Sequence, residues 1–272
     1  MYSKQKIHAV KVVVSTPQKP FSEWKLEEVF ELYGLGENPN LRLLPEFECC
    51  REPVQGCIPG LIDNLKEAYS STPLIQHTSK SIYTWVFLSK IVAVINSKSD
   101  QQFRITPQYP VMGPYGRGPV DYSINVPASG TIVGITEAKR EDFQAGIAQN
   151  MVQIESVTAG KKRKADEMDD VDADAKPKPI RCFGIVTDAK TWVFLEHSRI
   201  DGIIKFKRSR EYTVLHQPEG FGKSVETVRT DMFVQTVETV AETIMWLLTM
   251  ALNDLNPPDA PTNQPAKKSK CY

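Results

Sequence analysis

The sequence has no long hydrophobic run. Its longest strongly apolar stretch covers residues 244–252, whereas a helix that crosses a bilayer needs about 20 apolar residues in succession. The first residues lead into a short apolar segment that is interrupted by Lys11 and lacks a small-residue cleavage site, so no secretion signal is recognisable. We therefore expect an intracellular protein without a membrane partner.

Neither sign of charge is in excess. The 33 Lys and Arg residues balance 33 Asp and Glu residues, so the formal net charge is zero at pH 7 and says little about partners. The charges are nevertheless uneven, because the basic run at 161–164 is followed at once by acidic residues up to Asp174. With 41% hydrophobic and 24% charged residues, the composition is that of a globular protein and excludes a fibrous one.

Paired cysteines are also lacking. The chain has five, an odd number, and Cys49 and Cys50 are adjacent, a spacing that suits neither a disulfide framework nor a tetrahedral metal site. The four histidines are scattered without the spacing of metal ligands. We therefore expect reduced thiols, as in intracellular proteins.

Hydrophobic periodicity predicts helices, a meander of strands, a helix, further strands and a final helix. The predicted helices cover residues 23–33, 61–69, 82–95, 141–157 and 230–252. The predicted strands cover residues 103–109, 120–126, 131–139, 181–186, 192–196, 202–206 and 212–216, with a Gly/Pro loop at 112–119. This order indicates a mixed α/β (α+β) fold class with one central mixed sheet and added helices at both ends.

Two segments contain too few large apolar residues to join a packed core. Residues 159–179 combine a basic run, an acidic run and a Lys/Pro repeat, which predicts a disordered insertion. The Pro-rich residues 256–272 predict a disordered tail. The chain then divides into an N-terminal helical elaboration at 1–80, a core at 81–255 interrupted by the insertion, and the tail.

Charged residues mark the ends of two neighbouring predicted strands. Glu137 and Lys139 are two residues apart at the end of a buried strand, so their side chains leave the same face. Asp121 lies on the polar face of the preceding strand. The other face of that strand is apolar and consists of Val120, Tyr122, Ile124 and Val126. Because a tight turn pairs the two strands antiparallel, Asp121 can lie close to Glu137.

Two adjacent carboxylates repel each other unless a cation neutralises them. Hard oxygen ligands favour Mg²⁺ or Mn²⁺ over a soft metal. Such an ion can polarise a phosphoryl oxygen and activate water, while a neighbouring ammonium stabilises negative charge in the transition state. The residues at these strand ends therefore fit the hydrolysis of a phosphodiester.

The order of these residues resembles that of a known group. Asp121, fifteen intervening residues, Glu137-Ala138-Lys139 and a helix bearing glutamines resemble the PD-(D/E)xK, or restriction-endonuclease-like, superfamily. More narrowly, residues 135–142 and 146–150 are similar to the nuclease-like domains of fungal Crinkler-type proteins. The resemblance implies an αβββαβ core, which residues 82–186 would match, and both ends of the chain would be elaborations.

The resemblance also implies a role for each matching residue. Asp121 and Glu137 would bind the metal together with the backbone carbonyl of Ala138, and Lys139 would act on the attacking water or the transition state. Gln149 resembles a helix glutamine that some of these nucleases have beside the metal. The candidates for contact with nucleic acid are Arg117, Arg140 and Gln153.

The sequence departs from the superfamily pattern at two points. Val120 precedes the aspartate instead of proline, which is a tolerated variation. The acidic residue that many members carry on the first core helix is not recognisable, and Glu67 is the candidate for it. The presence of a second metal ion and of activity therefore stays open.

The prediction is a Mg²⁺- or Mn²⁺-dependent, nuclease-like phosphodiesterase that acts on nucleic acid, with DNA favoured over RNA. The alternative is an inactive nuclease-like fold that binds nucleic acid or protein. In the simplest interpretation, Glu137 and Lys139 form a solvated ion pair at a strand end, worth at most about 1 kcal/mol. A candidate nuclear localisation signal consists of Lys161, Lys162, Arg163 and Lys164, which would put the protein in the nucleus rather than the cytoplasm; a charged linker is the other interpretation.

Overall fold

A computed structural model describes residues 18–255 apart from 48, 55, 100–101, 139–141, 167–179, 201–202 and 216–222. Within these residues the helices are α1 (Leu26–Tyr33), α2 (Ile58–Ser71), α3 (His77–Lys98), α4 (Phe143–Asp166) and α5 (Lys223–Leu255). The strands are β1 (Lys19–Pro20), β2 (Arg104–Met112), β3 (Gly116–Val126), β4 (Thr131–Ala138), β5 (Ile180–Thr187), β6 (Thr191–Ile200), β7 (Ile203–Arg208) and β8 (Tyr212–Thr213).

The strands form one mixed sheet in the order β1-β3-β4-β5-β6-β7, with β2 paired to β3 and β8 paired to β6. Strands β4 and β5 are parallel, and α4 connects them, as a crossover between parallel neighbours requires. The elements from α3 to β5 therefore follow the order αβββαβ. The structure confirms the predicted α+β fold class with its single mixed sheet.

Helices cover both faces of the sheet. Helices α2, α3 and α5 pack on one face, termed the α3/α5 face, where the buried cluster includes Phe87 and Trp192. Helices α4 and α1 pack on the other, termed the α4 face, where the cluster includes Ile147 and Met151. The central strands are thus buried on both sides, as expected for the β4–β5 parallel pair.

The predicted loop at 112–119 is wrong over most of its length. Strand β3 begins at Gly116, and Met112 pairs with Arg117 across a short turn. The glycines allow this pairing. A Cβ at Gly116 would collide with the ring of Phe21, so only a residue without a side chain lets β3 run this close to Phe21.

Helix α4 continues to Asp166, beyond the predicted end at residue 157. The apolar stripe stops near Val157, but the Lys, Arg and Ala residues that follow are strong helix formers, and cations favour the last turn of a helix. The predicted insertion at 159–179 falls partly on this helix, and residues 167–179 lie outside the described residues, as does the predicted tail at 256–272. No helix among the described residues is long and apolar enough to span a bilayer.

Candidate active site

Glu137 lies near the end of β4 and its side chain faces α4. Only 6% of the residue is exposed, and Gln153 Nε2 donates a hydrogen bond to Glu137 Oε2 at 2.9 Å. Gln153 is fully buried, and its Oε1 accepts a hydrogen bond from Asn150 Nδ2 at 3.3 Å. Two consecutive hydrogen bonds from α4 therefore hold the Glu137 carboxylate in one orientation.

Asn150 ties this chain of hydrogen bonds to the sheet. Its Nδ2 also approaches the backbone carbonyl of Ile135 on β4 at 3.4 Å. Its Oδ1 occupies the space that a Cβ on Gly184 of β5 would need. A glycine in the middle of a central strand normally weakens the strand, and here it allows the Asn150 amide to lie directly on the backbone.

Asp121 lies on β3, beside the same end of β4. The β3–β4 register pairs Tyr122 with Thr136, so Asp121 and Glu137 are the residues that follow this last pair on the two strands. Gln108 Nε2 of β2 donates to Asp121 Oδ1 at 3.2 Å, and His77 Nε2 at the start of α3 is 3.9 Å from Asp121 Oδ2.

The β2–β3 ladder is irregular at Asp121. It skips the rung of Gln108 and Asp121 between two regular pairs, and Gln108 has a left-handed φ of 49°. As a result Val120 packs in the cluster of the α4 face, whereas Tyr122 packs in that of the α3/α5 face. The prediction that both residues share one apolar face is wrong, because this irregular rung reverses the alternation of side chains.

The first turns of α3 lie against β3. Ser81 Oγ and Tyr122 Oη are 2.7 Å apart, and Tyr122 Oη also donates to the Ser81 carbonyl at 2.9 Å. Burial raises the pKa of Tyr122, the Ser81 hydrogen bond lowers it, and the neighbouring Asp121 carboxylate raises it further. One residue earlier, Lys80 Nζ lies 4.0 Å from Asp188 Oδ2, in the turn after β5. The start of α3 thus brings His77 to Asp121 and Lys80 to Asp188.

The remaining predicted residues have different positions. Ala138 ends β4, and its backbone lies opposite Thr187 of β5. Gln149 is buried on α4, one turn before Gln153. Arg117 is exposed on β3, four residues from Asp121 and so about 13 Å away along the strand. Lys139 and Arg140 lie outside the described residues.

The basic run at 161–164 belongs to the last turns of α4 by its backbone, and its side chains lie outside the description. Glu67 is exposed on α2 rather than on the first core helix. That core helix is α3, and its sequence contains no acidic residue. Helix α3 therefore supplies no carboxylate for a second metal ion.

The two carboxylates are oxygen donors of the type that a hard cation takes, but their contacts come from different helices: Glu137 bonds to Gln153 of α4, and Asp121 lies near His77 of α3. Among the described residues, no group of three or more His, Cys, Asp and Glu side chains is gathered for a metal. The predicted set needs only Asp121, Glu137 and one backbone carbonyl, and all three are oxygen donors of the type that Mg²⁺ prefers.

Sequence reasoning missed three of the residues around these carboxylates: His77, Gln108 and Asn150. His77 is about forty residues from Asp121 in sequence, and no local pattern signals that approach. Asn150 could have been found, because it interrupts the apolar stripe of α4 next to Gln149, and a polar residue at such a position must make hydrogen bonds inside the core.

Comparison with known proteins gives one clear relative. The chain is 37% identical over 246 residues to Crinkler effector protein 1 of Rhizophagus irregularis, which covers 87% of this chain and 48% of that protein. Over most of its length the chain is thus similar to a Crinkler protein. It spans about half the length of this curated relative. No protein-family model matches the chain.

Proposed function

We propose that the protein is a Mg²⁺-dependent phosphodiesterase of the PD-(D/E)xK type that cleaves nucleic acid, with DNA favoured over RNA. The observation that carries the proposal is the β3–β4 register, which pairs Tyr122 with Thr136, so Asp121 and Glu137 are the next residues on the two strands. It is supported by the αβββαβ order of the elements from α3 to β5 and by the Crinkler-like sequence.

In this proposal the residues at the end of β4 and Asp121 of β3 have defined roles. Asp121 and Glu137 would hold the cation together with the carbonyl of Ala138, and Mg²⁺ would supply a Lewis acid that polarises the phosphoryl oxygen and activates water. Lys139 stabilises the negative charge that develops on the phosphate. The burial of Glu137 strengthens these interactions, because charges interact more strongly where water is excluded.

Gln153 has a different role here from the one that its sequence position predicts. Its side chain is fully buried and donates to Glu137, which makes it a positioning residue for a metal ligand rather than a contact for nucleic acid. Ligands of metals are commonly oriented by such outer hydrogen bonds, and their loss typically costs about 10-fold to 100-fold in affinity or activity. Gln149 stays a candidate beside the metal.

The absence of acidic residues from α3 favours a site for one metal ion. His77, 3.9 Å from Asp121, approaches that carboxylate from α3, where two-metal enzymes need a further acid. An imidazole in that position adds no negative charge that would balance a second divalent ion.

Cleavage of labelled single-stranded and duplex DNA with Mg²⁺ tests the proposal. Glu137→Gln removes the charge of a ligand and keeps its shape, and Lys139→Ala removes the ammonium, so each variant is expected to lose at least about 100-fold in rate. Glu238→Gln is the matched control, because Glu238 is exposed on α5. Cleavage that survives both changes at the site would exclude it as the catalytic centre.

The alternative proposal is an inactive nuclease-like fold that binds nucleic acid or protein, and the lack of an acidic residue on α3 favours it. Mn²⁺ titration separates the two proposals. Saturable binding that is lost in Asp121→Asn supports the metal site, whereas binding of nucleic acid without binding of Mn²⁺ supports the alternative.

The cellular compartment is a separate part of the proposal. The run Lys161 to Lys164 would act as a nuclear import signal. A fluorescent fusion is expected to enter the nucleus and to remain in the cytoplasm when these four residues are changed to alanine. Unchanged nuclear entry would leave the run as a charged helix end.

A further inference from the structure

Trp85 is a large aromatic side chain that remains 40% exposed. It lies on α3, and its neighbour one turn away, Ile82, is 41% exposed. Single exposed apolar residues are common on protein surfaces, but tryptophan is usually highly buried. Its exposure next to the candidate active site therefore calls for a physical explanation.

Three side chains of α3 form one stripe toward β3. His77, Ser81 and Trp85 follow each other at intervals of four residues, so they lie on the same side of the helix. His77 approaches Asp121, and Ser81 bonds to the hydroxyl of Tyr122. The Trp85 ring packs on Tyr122 with the ring centroids 5.9 Å apart and an angle of 37° between the planes.

Tyr122 fixes the Trp85 ring. Its hydroxyl is held by both the side chain and the backbone carbonyl of Ser81, and Tyr122 follows directly on Asp121. Because the Trp85 ring rests on a fixed partner, little conformational entropy is lost when a ligand binds to its exposed surface. Trp85 lies about 12 Å along the α3 axis from His77, at 1.5 Å per residue.

We infer that Trp85 is a stacking platform for an unpaired nucleobase of the substrate, a short way along the strand from the scissile phosphate. This inference rests on the proposed function and narrows its substrate class to single-stranded nucleic acid or to the frayed end of a duplex. A base within a duplex has both faces stacked, whereas an unpaired base can stack on an aromatic side chain.

Binding of labelled oligonucleotides tests the inference, with Ca²⁺ in place of Mg²⁺ to slow cleavage. Stacking on an aromatic residue contributes enough for Trp85→Ala to weaken the binding of a single strand about fivefold or more. Trp85→Phe keeps a ring and is expected to retain most of the affinity. The control Ile203→Ala removes another exposed apolar residue, 61% exposed on β7, and is expected to change nothing.

An abasic strand distinguishes stacking from a general defect. It has the same backbone and no bases, so wild type and Trp85→Ala are expected to bind it equally. Equal losses on the normal and abasic strands, or no loss on either, would overturn the inference. Self-association of the wild type that Trp85→Ala abolishes would also overturn it and identify the patch as a contact between copies.

The inference and the proposed function can fail separately. If Glu137→Gln abolishes cleavage while Trp85→Ala binds single strands normally, only the stacking role is wrong. If Trp85 is needed for binding but no cleavage occurs, the stacking role holds on an inactive fold. If the wild type binds no oligonucleotide, both are wrong.

Discussion

The two faces of the sheet differ in the polar groups that they bury. In the helices of the α3/α5 face, buried hydroxyls bond within their own helix: Thr84 donates to the carbonyl of Lys80, and Thr243 donates to that of Thr239. The buried hydroxyls of α4 do the same, but the α4 face also buries amide and charged groups that bond between elements: Gln153 reaches Glu137 on β4, and Arg199 of β6 reaches Glu155 on α4.

This difference determines how strongly each buried polar group fixes the position of a helix on the sheet. A hydroxyl that bonds to its own helix specifies nothing about a neighbouring element, so the α3/α5 face is held by apolar packing. A hydrogen bond between elements fixes their relative position, and each one becomes costly if a partner is lost. Contacts between elements also occur at the start of α3: Lys80 approaches Asp188, Ser81 bonds to Tyr122, and Tyr83 donates to the carbonyl of Thr72 after α2.

The largest effect on stability is expected from the apolar face. Phe87 is fully buried, and its ring centroid lies 4.9 Å from that of Trp192. Phe87→Ala should lower the free energy of unfolding by about 3–5 kcal/mol, through lost burial and the cavity that remains. Urea denaturation measures this loss, with Ile203→Ala as the exposed control. A loss as small as that of the control would contradict the packing described for this face.

A somewhat smaller effect is expected from the ion pair of the α4 face. The Glu155 side chain is 1% exposed, and its Oε1 lies 3.0 Å from Arg199 Nη2. Arg199→Met removes the guanidinium from a buried carboxylate and should cost about 3 kcal/mol of unfolding free energy.

The matched control is Arg104→Met, because Arg104 is exposed on β2. Since burial limits screening by salt, the difference between the two variants should persist in denaturation experiments at high ionic strength. If high salt abolished the difference in stability between the two variants, the Arg199–Glu155 pair would be exposed to solvent.

Gln153 tests directly whether contacts between elements matter more than contacts within a helix. Gln153→Met leaves the buried Glu137 without that donor and should cost about 1–3 kcal/mol, and it should lower any Mg²⁺-dependent cleavage. Gln144→Met is the control on the same helix, because Gln144 is exposed.

Thr84→Val removes a buried hydroxyl that bonds within α3 and should cost less than about 1 kcal/mol. Thermal denaturation of the three variants gives the ranking. An equal loss for Gln153→Met and Thr84→Val would contradict the contrast between the two faces.

The smallest effect is expected at the edge of the α3/α5 face, where Cys49 packs. Burial raises the pKa of Cys49 to about 11, compared with about 8.5 for a free thiol. The thiol form is thus favoured in the folded protein. Its stabilising effect is full below about pH 8.5 and is lost as the pH rises toward 11.

Alkylation followed by mass spectrometry checks this expectation. At pH 8, Cys49 should react more slowly than the exposed Cys50, and Cys49→Ser should reduce the loss of stability at high pH. Equal labelling of the two cysteines would contradict the burial of Cys49.

Local patterns in the sequence were sufficient to predict most of the elements. The strands from β2 to β8 and the helices α1 to α5 each overlap a predicted element, because their apolar periodicity is strong. Helix α3 starts earlier than predicted, at His77, since its first turn is polar and lacks that periodicity. The reversal at Gln108 and Asp121 could not be predicted, because neither residue is a glycine that would signal a left-handed backbone.

The candidate active site was predictable only for residues that are close to each other in the sequence. Asp121 and Glu137 belong to one hairpin, and its antiparallel pairing, which includes Tyr122 with Thr136, follows from the tight turn in the sequence. The hydrogen bond from Gln153 depends on how α4 packs on the sheet, and the sequence pattern pointed instead to Gln149. The approach of His77 to Asp121 depends on how α3 packs on the sheet, and the sequence of α3 contains no pattern that predicts this contact.

The glycine at position 184 has a consequence for how this protein can change. The Asn150 side chain occupies the space that a side chain at position 184 would need, so the residue types at the two positions cannot change independently. A methyl group at position 184 would require a shorter side chain at position 150. A relative with alanine in place of Gly184 would then lack the amide that links Gln153 to the β4 backbone. We expect such relatives either to replace both residues together or to lose the ordered carboxylate.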